Sequence, residues 1–462
     1  MTPPLAETHD TQFESLTNEE FLRRVKEGQS LIIYDRKVYK LDNWIKFHPG
    51  GALAIHHLVG KDATDEINAF HPAYVYENKI HSFYVGEYAD DSDFIVPSST
   101  NEERKKILNA YRRLELTIRA NKLYDCNYIN YGYECIRYLL LITISWILVL
   151  HGTTTLHYLL SAVFLGAFWH QLAFTAHDAG HNGITHILLV DNLIGILIAS
   201  YCGGLSIGWW KKNHYVHHIV TNDPNHDPDI QHLPFFAVST KFFENLHSSF
   251  YKRTLQFDAF ARFFIPMQHY LYYPVLCFGR FNLYFLSISY LCFDERVPFR
   301  KLELTGMLFF WTWFIYMLSF LPSWKIIIAF FLISHMVTVI LHVQITLSHF
   351  GMSTELLGPD EPFPEKMLRT SMDVDCPWWM DWFHGGLQFQ AIHHLFPRIP
   401  RHNLRACQPF VKKFCEETGL QYHIYGFVEG NGVVLSALKD VANQIELLSR
   451  VAAAHGDRNF VS

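Results

Sequence analysis

Four long apolar runs, set in two close pairs, constrain this chain more than any other feature. Residues 136–150 and 156–174 are separated only by "HGTTT", and residues 307–321 and 326–347 only by "PSWK". A helix crossing hydrocarbon needs about 20 mostly apolar residues, and aromatic flanks bring each run to that reach. The expectation is four crossings arranged as two hairpins. Each hairpin returns the chain to the side it left, so residues 1–130, 176–302 and 348–462 are expected on one face. Two further apolar stretches, 188–207 and 270–293, are interrupted by Asp191, Gly203, Gly204, Pro274 and Arg280. They read as helices lying in the interface or buried within protein rather than as spans.

The rest of the chain is water-facing. Half of the 462 residues are hydrophobic and 16% aromatic, yet Lys, Arg, Asp and Glu still make up 18%. Charge is uneven: residues 1–93 carry 9 basic and 16 acidic side chains, which leaves the remainder near neutral within a total of −6. Nucleic acid is excluded as a partner, because phosphate binding depends on clustered Lys and Arg, and the acidic front favours docking to a basic protein surface. The eight cysteines are scattered without a CxxC pair, and read as reduced core residues. The opening stretch "MTPPLAETHDTQFESLTNEEF" lacks the basic and apolar regions of a signal peptide, so the front module is expected in the cytosol. Within it "LIIYDRKVYKL" alternates as half-buried strands do around a turn. The Ser-, Asp- and Glu-rich text after residue 88 marks a linker. The expected division is a small α+β domain at 15–90, a linker at 91–105 and an all-α membrane domain at 106–445.

Two motifs in the front module carry chemistry. "FHPGG" places His48 beside Pro49, Gly50 and Gly51, which form a tight turn and let backbone approach a flat ligand. "GKDATDEINAFHP" places His71 after Phe70. A low-spin haem used for electron transfer needs two strong axial ligands, and two neutral imidazoles meet that need. Two histidines 23 positions apart are weak support by spacing alone. The motifs, however, resemble the cytochrome b5 family, and the resemblance implies haem b held by His48 and His71. His56 and His57 read as ordinary helix positions.

The body carries four histidine clusters. "HDAGH" gives His177 and His181, "HYVHH" gives His214, His217 and His218, "LSHFG" gives His349, and "QFQAIHH" gives Gln390, His393 and His394. Spacings of three and four put side chains on one helix face, so one turn supplies two ligands and several helices can surround two metals. Isolated histidine pairs are usually surface or satisfied core residues. Repetition at the ends of the apolar runs changes that, since buried imidazoles without partners are costly. A zinc hydrolase needs three protein ligands and one open position, so eight histidines exceed that requirement. Two irons that activate dioxygen call for such a number. A haem on the same chain points the same way: removing two hydrogens while reducing dioxygen to two waters consumes two extra electrons, delivered singly.

The body resembles the membrane fatty acyl and sphingolipid desaturases with three histidine boxes. The fusion order is similar to the front-end branch, with its N-terminal cytochrome b5 domain and a glutamine opening the third box. This resemblance implies a multidomain fold: a haem domain, then an all-α membrane desaturase domain with four transmembrane helices and a cytosolic helical cap. It also implies two non-haem irons bound by His177, His181, His214, His217, His218, His349, His393 and His394, with Gln390 contributing and dioxygen as co-substrate. NADH-cytochrome b5 reductase as electron donor and the endoplasmic reticulum membrane are implied too. One departure stands out, since many relatives have an acidic residue where Ile392 precedes the final histidine pair. Asp227 and Asp229 either orient ligand histidines or simply form a turn beside Pro228. Trp209, Trp210, Lys211 and Lys212 are expected at the lipid headgroups.

Stretches such as "NDPNHDPDIQHLPFFAVSTKFF" and "WWMDWFHGGLQFQ" look most like the sphingolipid Δ8 long-chain-base desaturases. The expected substrate is therefore a sphingolipid or ceramide, with a Δ6-type acyl-lipid desaturase as the competing reading. A lipid hydroxylase would share the iron and haem but return oxygen to its substrate. A transporter would place polar ligands at mid-membrane instead.

Overall fold

In the computed structural model, which describes residues 14–89, 98–358 and 361–454, the alternation in "LIIYDRKVYKL" becomes a tight hairpin. Strands β1 (Glu14–Leu16), β2 (Leu31–Tyr34), β3 (Lys37–Lys40) and β4 (Tyr84–Tyr88) form a sheet in the order β1-β4-β3-β2. β2 and β3 pair antiparallel with Tyr34 opposite Lys37. Asp35 and Arg36 between them both have positive φ, as a two-residue primed turn matching strand twist requires. Alternation then sorts the side chains. Leu31, Ile33 and Val38 pack with Leu16 and Phe21, whereas Ile32 and Tyr39 pack with Ile45, Ile55, Ile67 and Ile80. Helices α1 (Asn18–Lys26), α2 (Ala52–His56) and α3 (Thr64–Phe70) complete this unit, and α1 begins where Thr17 Oγ1 accepts the Glu20 N–H at 3.3 Å.

Contacts divide the chain into Met1–Lys106 and Ile107–Ser462. Residues 91–97 of the expected linker lie outside the described residues, and from Ser98 the chain is helix α4 (Ser98–Ala120). In the second unit α5 (Tyr128–His151) and α6 (Thr155–Gly180) form the first hairpin. Both are long and apolar enough to cross a membrane, as is Trp324–Phe350. α6 is the central one, with two thirds of its apolar window buried against less than a third for the others. A Cβ at Gly166 would stand 2.5 Å from the Ser334 carbonyl, so this glycine lets α6 lie directly against the Trp324–Met336 helix.

Four expectations are refined. The run at 307–321 forms the helix Arg300–Leu318, whose first turn contains Arg300, Lys301 and Glu303. Length and composition therefore mark three spans, or up to five if two bent helix pairs each count as one. Those pairs are the interrupted stretches. α7 (Leu188–Ile196) continues through Cys202 and meets α8 (Ile207–Ile219) at 118°, and Ala259–Leu276 meets Gly279–Phe293 at 77°. The first bend falls at Gly203 and Gly204, the latter at φ +69, and Ser206 Oγ restarts the helix by accepting the Trp209 N–H at 3.0 Å. The body is also not purely helical. β5 (Leu246–Ser248) pairs with β6 (Arg253–Leu255), and β7 (Asp373–Asp375) pairs with β8 (Ile424–Gly426). All eight cysteines are free, but only Cys407 and Cys415 are buried, and Cys135 and Cys292 are exposed on apolar helices. Membrane helices turn apolar side chains outward, so in such a domain an apolar cysteine need not lie in the core.

Candidate metal centre

In the front module, His48 follows a short 3-10 turn and His71 caps α3. His48 Nδ1 lies 3.2 Å from the Gly51 carbonyl and His71 Nδ1 lies 3.1 Å from that of Ile67. Each carbonyl takes the Nδ1–H, which leaves both Nε2 lone pairs facing each other 3.5 Å apart. His48 and His71 are thus the residues that would hold a haem iron, each through Nε2. Burial pushes His48 below the ordinary histidine range and favours the neutral, ligating form. Gly51 holds φ +88, a conformation that glycine adopts without strain. His56 is exposed at the end of α2.

In the second unit four elements converge. α6 supplies His177 and its C-cap His181, and α8 supplies His214, His217 and His218. The helix Val339–Phe350 supplies His349, and the short helix Gln390–Leu395 supplies His393 and His394. The ligand atoms of His177, His181, His214 and His393 all lie within 4.8 Å of one another. Those of His217, His349 and His394 form a second such group. His218 stands between the two, its ring 4.1 Å from His394 and 4.8 Å from His181, with its Nε2 3.1 Å from that of His214. Gln390 is buried but joins neither group, lining instead a small cavity with His177 and His393. Ile392 is fully buried on the same helix.

What surrounds these rings shows what they are built to do. The Nε2 atoms of His177, His181, His393 and His394 are buried without a hydrogen-bond partner. Four such atoms would be costly unless a cation takes their lone pairs. Burial, followed by neighbouring imidazoles, pushes His181, His393 and His394 well below their ordinary range, and neutral imidazole is the ligating form. The opposite ring nitrogens are held. His217 Nδ1 is 2.9 Å from Asp227, His349 Nδ1 is 3.2 Å from the Thr370 carbonyl, and His394 Nδ1 is 3.3 Å from Thr221 Oγ1. The residues present fit two metal ions, one held by each group.

Asp227 fills both roles open to it. One oxygen faces His217 and accepts the Asn222 N–H at 2.8 Å, while the other accepts the Asp229 N–H at 2.8 Å and caps the turn at Pro228. Asp229 lies 3.8 Å from both His214 and His217. Burial pushes Asp229 up, but those two imidazoles outweigh it and hold the carboxyl below its usual range.

The expectation for "WWKK" is corrected at Trp210 and Lys211. Trp210 stacks on His214 at 4.3 Å and meets His177 edge-on at 5.3 Å, so it is a wall of the site. Gly180 makes the room, since a Cβ there would fall 2.1 Å from the Trp210 ring. Lys211 is buried and donates to Asn192 at 2.8 Å, while Lys212 pairs with Asp294 at 2.7 Å. The spacing of four places Trp210 on the helix face that carries His214.

Sequence reasoning missed the supports. Arg401 bridges Asp178 and Glu134, Tyr131 donates to Asp178 at 2.5 Å, and His402 reaches Glu134 at 2.8 Å. This buried network ties α5, α6 and the stretch after His394 together next to His177. Glu134 was the available signal, as a lone carboxylate inside an apolar run marks a functional position. Asp373 on β7 likewise accepts the Ala391 N–H at 2.8 Å, holding the helix that carries His393 and His394.

Comparison with known proteins follows the same division. Residues 153–426 match the fatty acid desaturase family, and residues 17–89 match the cytochrome b5-like heme/steroid binding domain. The chain belongs to the fatty acid desaturase family. The Delta 8-(E)-sphingolipid desaturase of Emericella nidulans is 45% identical, with 92% of this chain and 94% of that protein covered. The Kluyveromyces lactis protein of the same name is 42% identical, covering 95% and 94%. The Delta(8)-fatty-acid desaturase 2 of Arabidopsis thaliana is 39% identical, covering 94% of each. This desaturase is thus an integral membrane oxidoreductase with a fused haem domain.

Proposed function

We propose that this desaturase introduces a double bond at carbon 8 of the long-chain base of a sphingolipid or ceramide. The observation that carries the reading is the meeting of eight imidazoles, seven of them buried and His177 half-buried, as two adjoining groups with His218 between them, on a chain whose front module also brings His48 and His71 together. His177, His181, His214 and His393 would hold one iron and His217, His349 and His394 the other, with His218 between them and Gln390 beside the first. A pair of non-haem irons supplies the binding and activation of dioxygen that an unactivated methylene C–H bond demands. The overall balance is removal of two hydrogens from adjacent carbons, with dioxygen, two electrons and two protons giving two waters. The haem b between His48 and His71 would pass those electrons one at a time, received from NADH-cytochrome b5 reductase.

The protein's own residues do the rest. Asp227 keeps the Nδ1 proton of His217 directed away from the metal, fixing the tautomer and strengthening the opposite nitrogen as a donor. Trp210 and the buried helix Gln390–Leu395 exclude water from the ligand rings. The proposed topology has four crossings, made by α5, α6, Arg300–Leu318 and Trp324–Phe350, with haem module and metal centre on the cytosolic side of the endoplasmic reticulum membrane. The expected boundaries, 15–90 and 106–445, and the linker at 91–105 remain part of this reading.

The names of the relatives support position 8 and do not favour a Δ6-type acyl reaction. The test is expression in a host that lacks Δ8 long-chain-base unsaturation, followed by analysis of sphingoid bases and fatty acids together. A new double bond in the base is expected. A new bond confined to acyl chains overturns the substrate assignment, and a product heavier by one oxygen overturns desaturation.

A further inference from the structure

Where α5 begins, a cavity of about 300 Å³ opens beside the segment 381–389. Asn130, Tyr133 and Arg137 line one side, and Trp382 and Gln388 the other. Tyr133 and Trp382 are exposed, as are the neighbouring Trp378 and Trp379, in the pattern of aromatics at a headgroup boundary. The cavity shares Gly385, Gly386 and Arg401 with the smaller one that His177, Gln390 and His393 line. The shared wall is bare backbone by necessity. Gly385 and Gly386 hold φ of +59 and +93, and a Cβ on them would stand 2.1 Å from the Phe174 ring and 2.6 Å from Arg401.

The polar groups of this cavity define a ligand. Gln388 is 1% exposed. Its Nε2 donates to Asp381 at 3.0 Å, which fixes the amide orientation because a carboxylate only accepts. Its Oε1 is left buried without a partner, an acceptor that a ligand N–H or O–H would satisfy. Arg137 gives one N–H to Gln171 at 2.7 Å and lies 5.3 Å from the Trp382 ring centre, and its planar fork carries further donors. Arg401 and Arg405 are committed to carboxylates, Arg405 to Asp381. Arg137 is then the one arginine of the cleft without a carboxylate partner, a single cation where a phosphate-rich carrier calls for several. A neutral head with both donor and acceptor groups suits this cavity better.

We propose that this cleft seats the polar head of the substrate, with Gln388 and Arg137 as specificity-determining residues that select a head carrying an amide N–H and hydroxyls. Gln388 accepts from the amide N–H, and Arg137 donates to the amide carbonyl. The assignment rests on the Δ8 reading above, which requires the head to lie near the metals. Seven carbon–carbon bonds of about 1.5 Å separate carbon 1 from carbon 8, so the head stands no more than about 10 Å along the chain from the reacting carbon.

Membranes containing the full-length protein, supplied with a ceramide or with its N-methyl amide analogue, test this. The unaltered enzyme is expected to show a KM about tenfold higher for the N-methyl analogue, the usual scale for one buried hydrogen bond. Gln388→Leu should raise KM for the parent ceramide to that level, abolish the discrimination and keep kcat. Arg137→Gln should raise KM for both lipids alike. Haem absorbance and iron content, measured on each variant, report whether it folds. A correctly loaded Gln388→Leu enzyme that still prefers the parent ceramide overturns the proposal. If Gln388→Leu fails to load, an Arg137→Gln enzyme with unchanged KM for both lipids overturns it instead. Product in acyl chains from the unaltered enzyme would sink the Δ8 sphingolipid reading, separately from the cleft.

Discussion

The haem module and the membrane unit both rely on histidine, but they hold it differently. His48 and His71 are half-buried, and backbone carbonyls three and four positions away hold them. The imidazoles of the membrane unit come from four separate elements, most are fully buried, and their partners include the carboxylate of Asp227. An electron carrier needs only two fixed ligands and a reachable edge. A centre that activates oxygen must keep water out and hold its ligands through changes of charge. That demands burial, more donors and anionic support.

Breaking either site should leave the other standing, and this asymmetry ranks the expected effects. His217→Ala should have the largest: product loss beyond the roughly 100-fold that losing an outer partner can cause, with iron content falling and the haem spectrum unchanged. A haem spectrum lost together with activity would indicate misfolding of the whole chain. His48→Ala should come next, removing haem absorbance and most turnover in cells without a separate cytochrome b5 while iron stays bound. Full turnover there would rule out the fused module as the donor.

Asp227→Asn should cost about 10- to 100-fold in iron affinity or activity, a loss read by titrating iron into chelator-treated protein, with the haem untouched. The smallest effect belongs to Asp373. Burial raises its carboxyl to about 7, against the N–H groups and Tyr422 hydroxyl that oppose the shift. An acid raised in the folded state contributes stability that is complete below about pH 4 and fades as pH climbs through about 7. Thermal midpoints should therefore fall across that window in the unaltered protein and change less in Asp373→Asn. Equal slopes would mean that this carboxyl does not report on the helix it holds.

Much of this molecule was legible in local text. The histidine boxes stand out through spacing of three or four, since one helix turn already brings two imidazoles to one face, whereas "FHPGG" points to haem through its resemblance to the cytochrome b5 family. The hairpin at Asp35 and Arg36 and the breaks at Gly203 and Gly204 were likewise written locally, in backbone preferences. Less legible were the directions of Trp210 and Lys211, because composition says "interface" while the rotation of α8 decides that they face the metal ligands and Asn192.

Sequence by itself determined the division into two modules, the apolar helices and which histidines stand out as clusters, because these follow from short-range composition and spacing. Only the tertiary structure decided that His177 and His393 share a site across more than 200 positions, that Arg401 locks Asp178 to Glu134, and that Gln388 keeps an unmet acceptor. Such pairings arise when distant helices pack at fixed angles, and no local pattern encodes the partner a side chain will meet there.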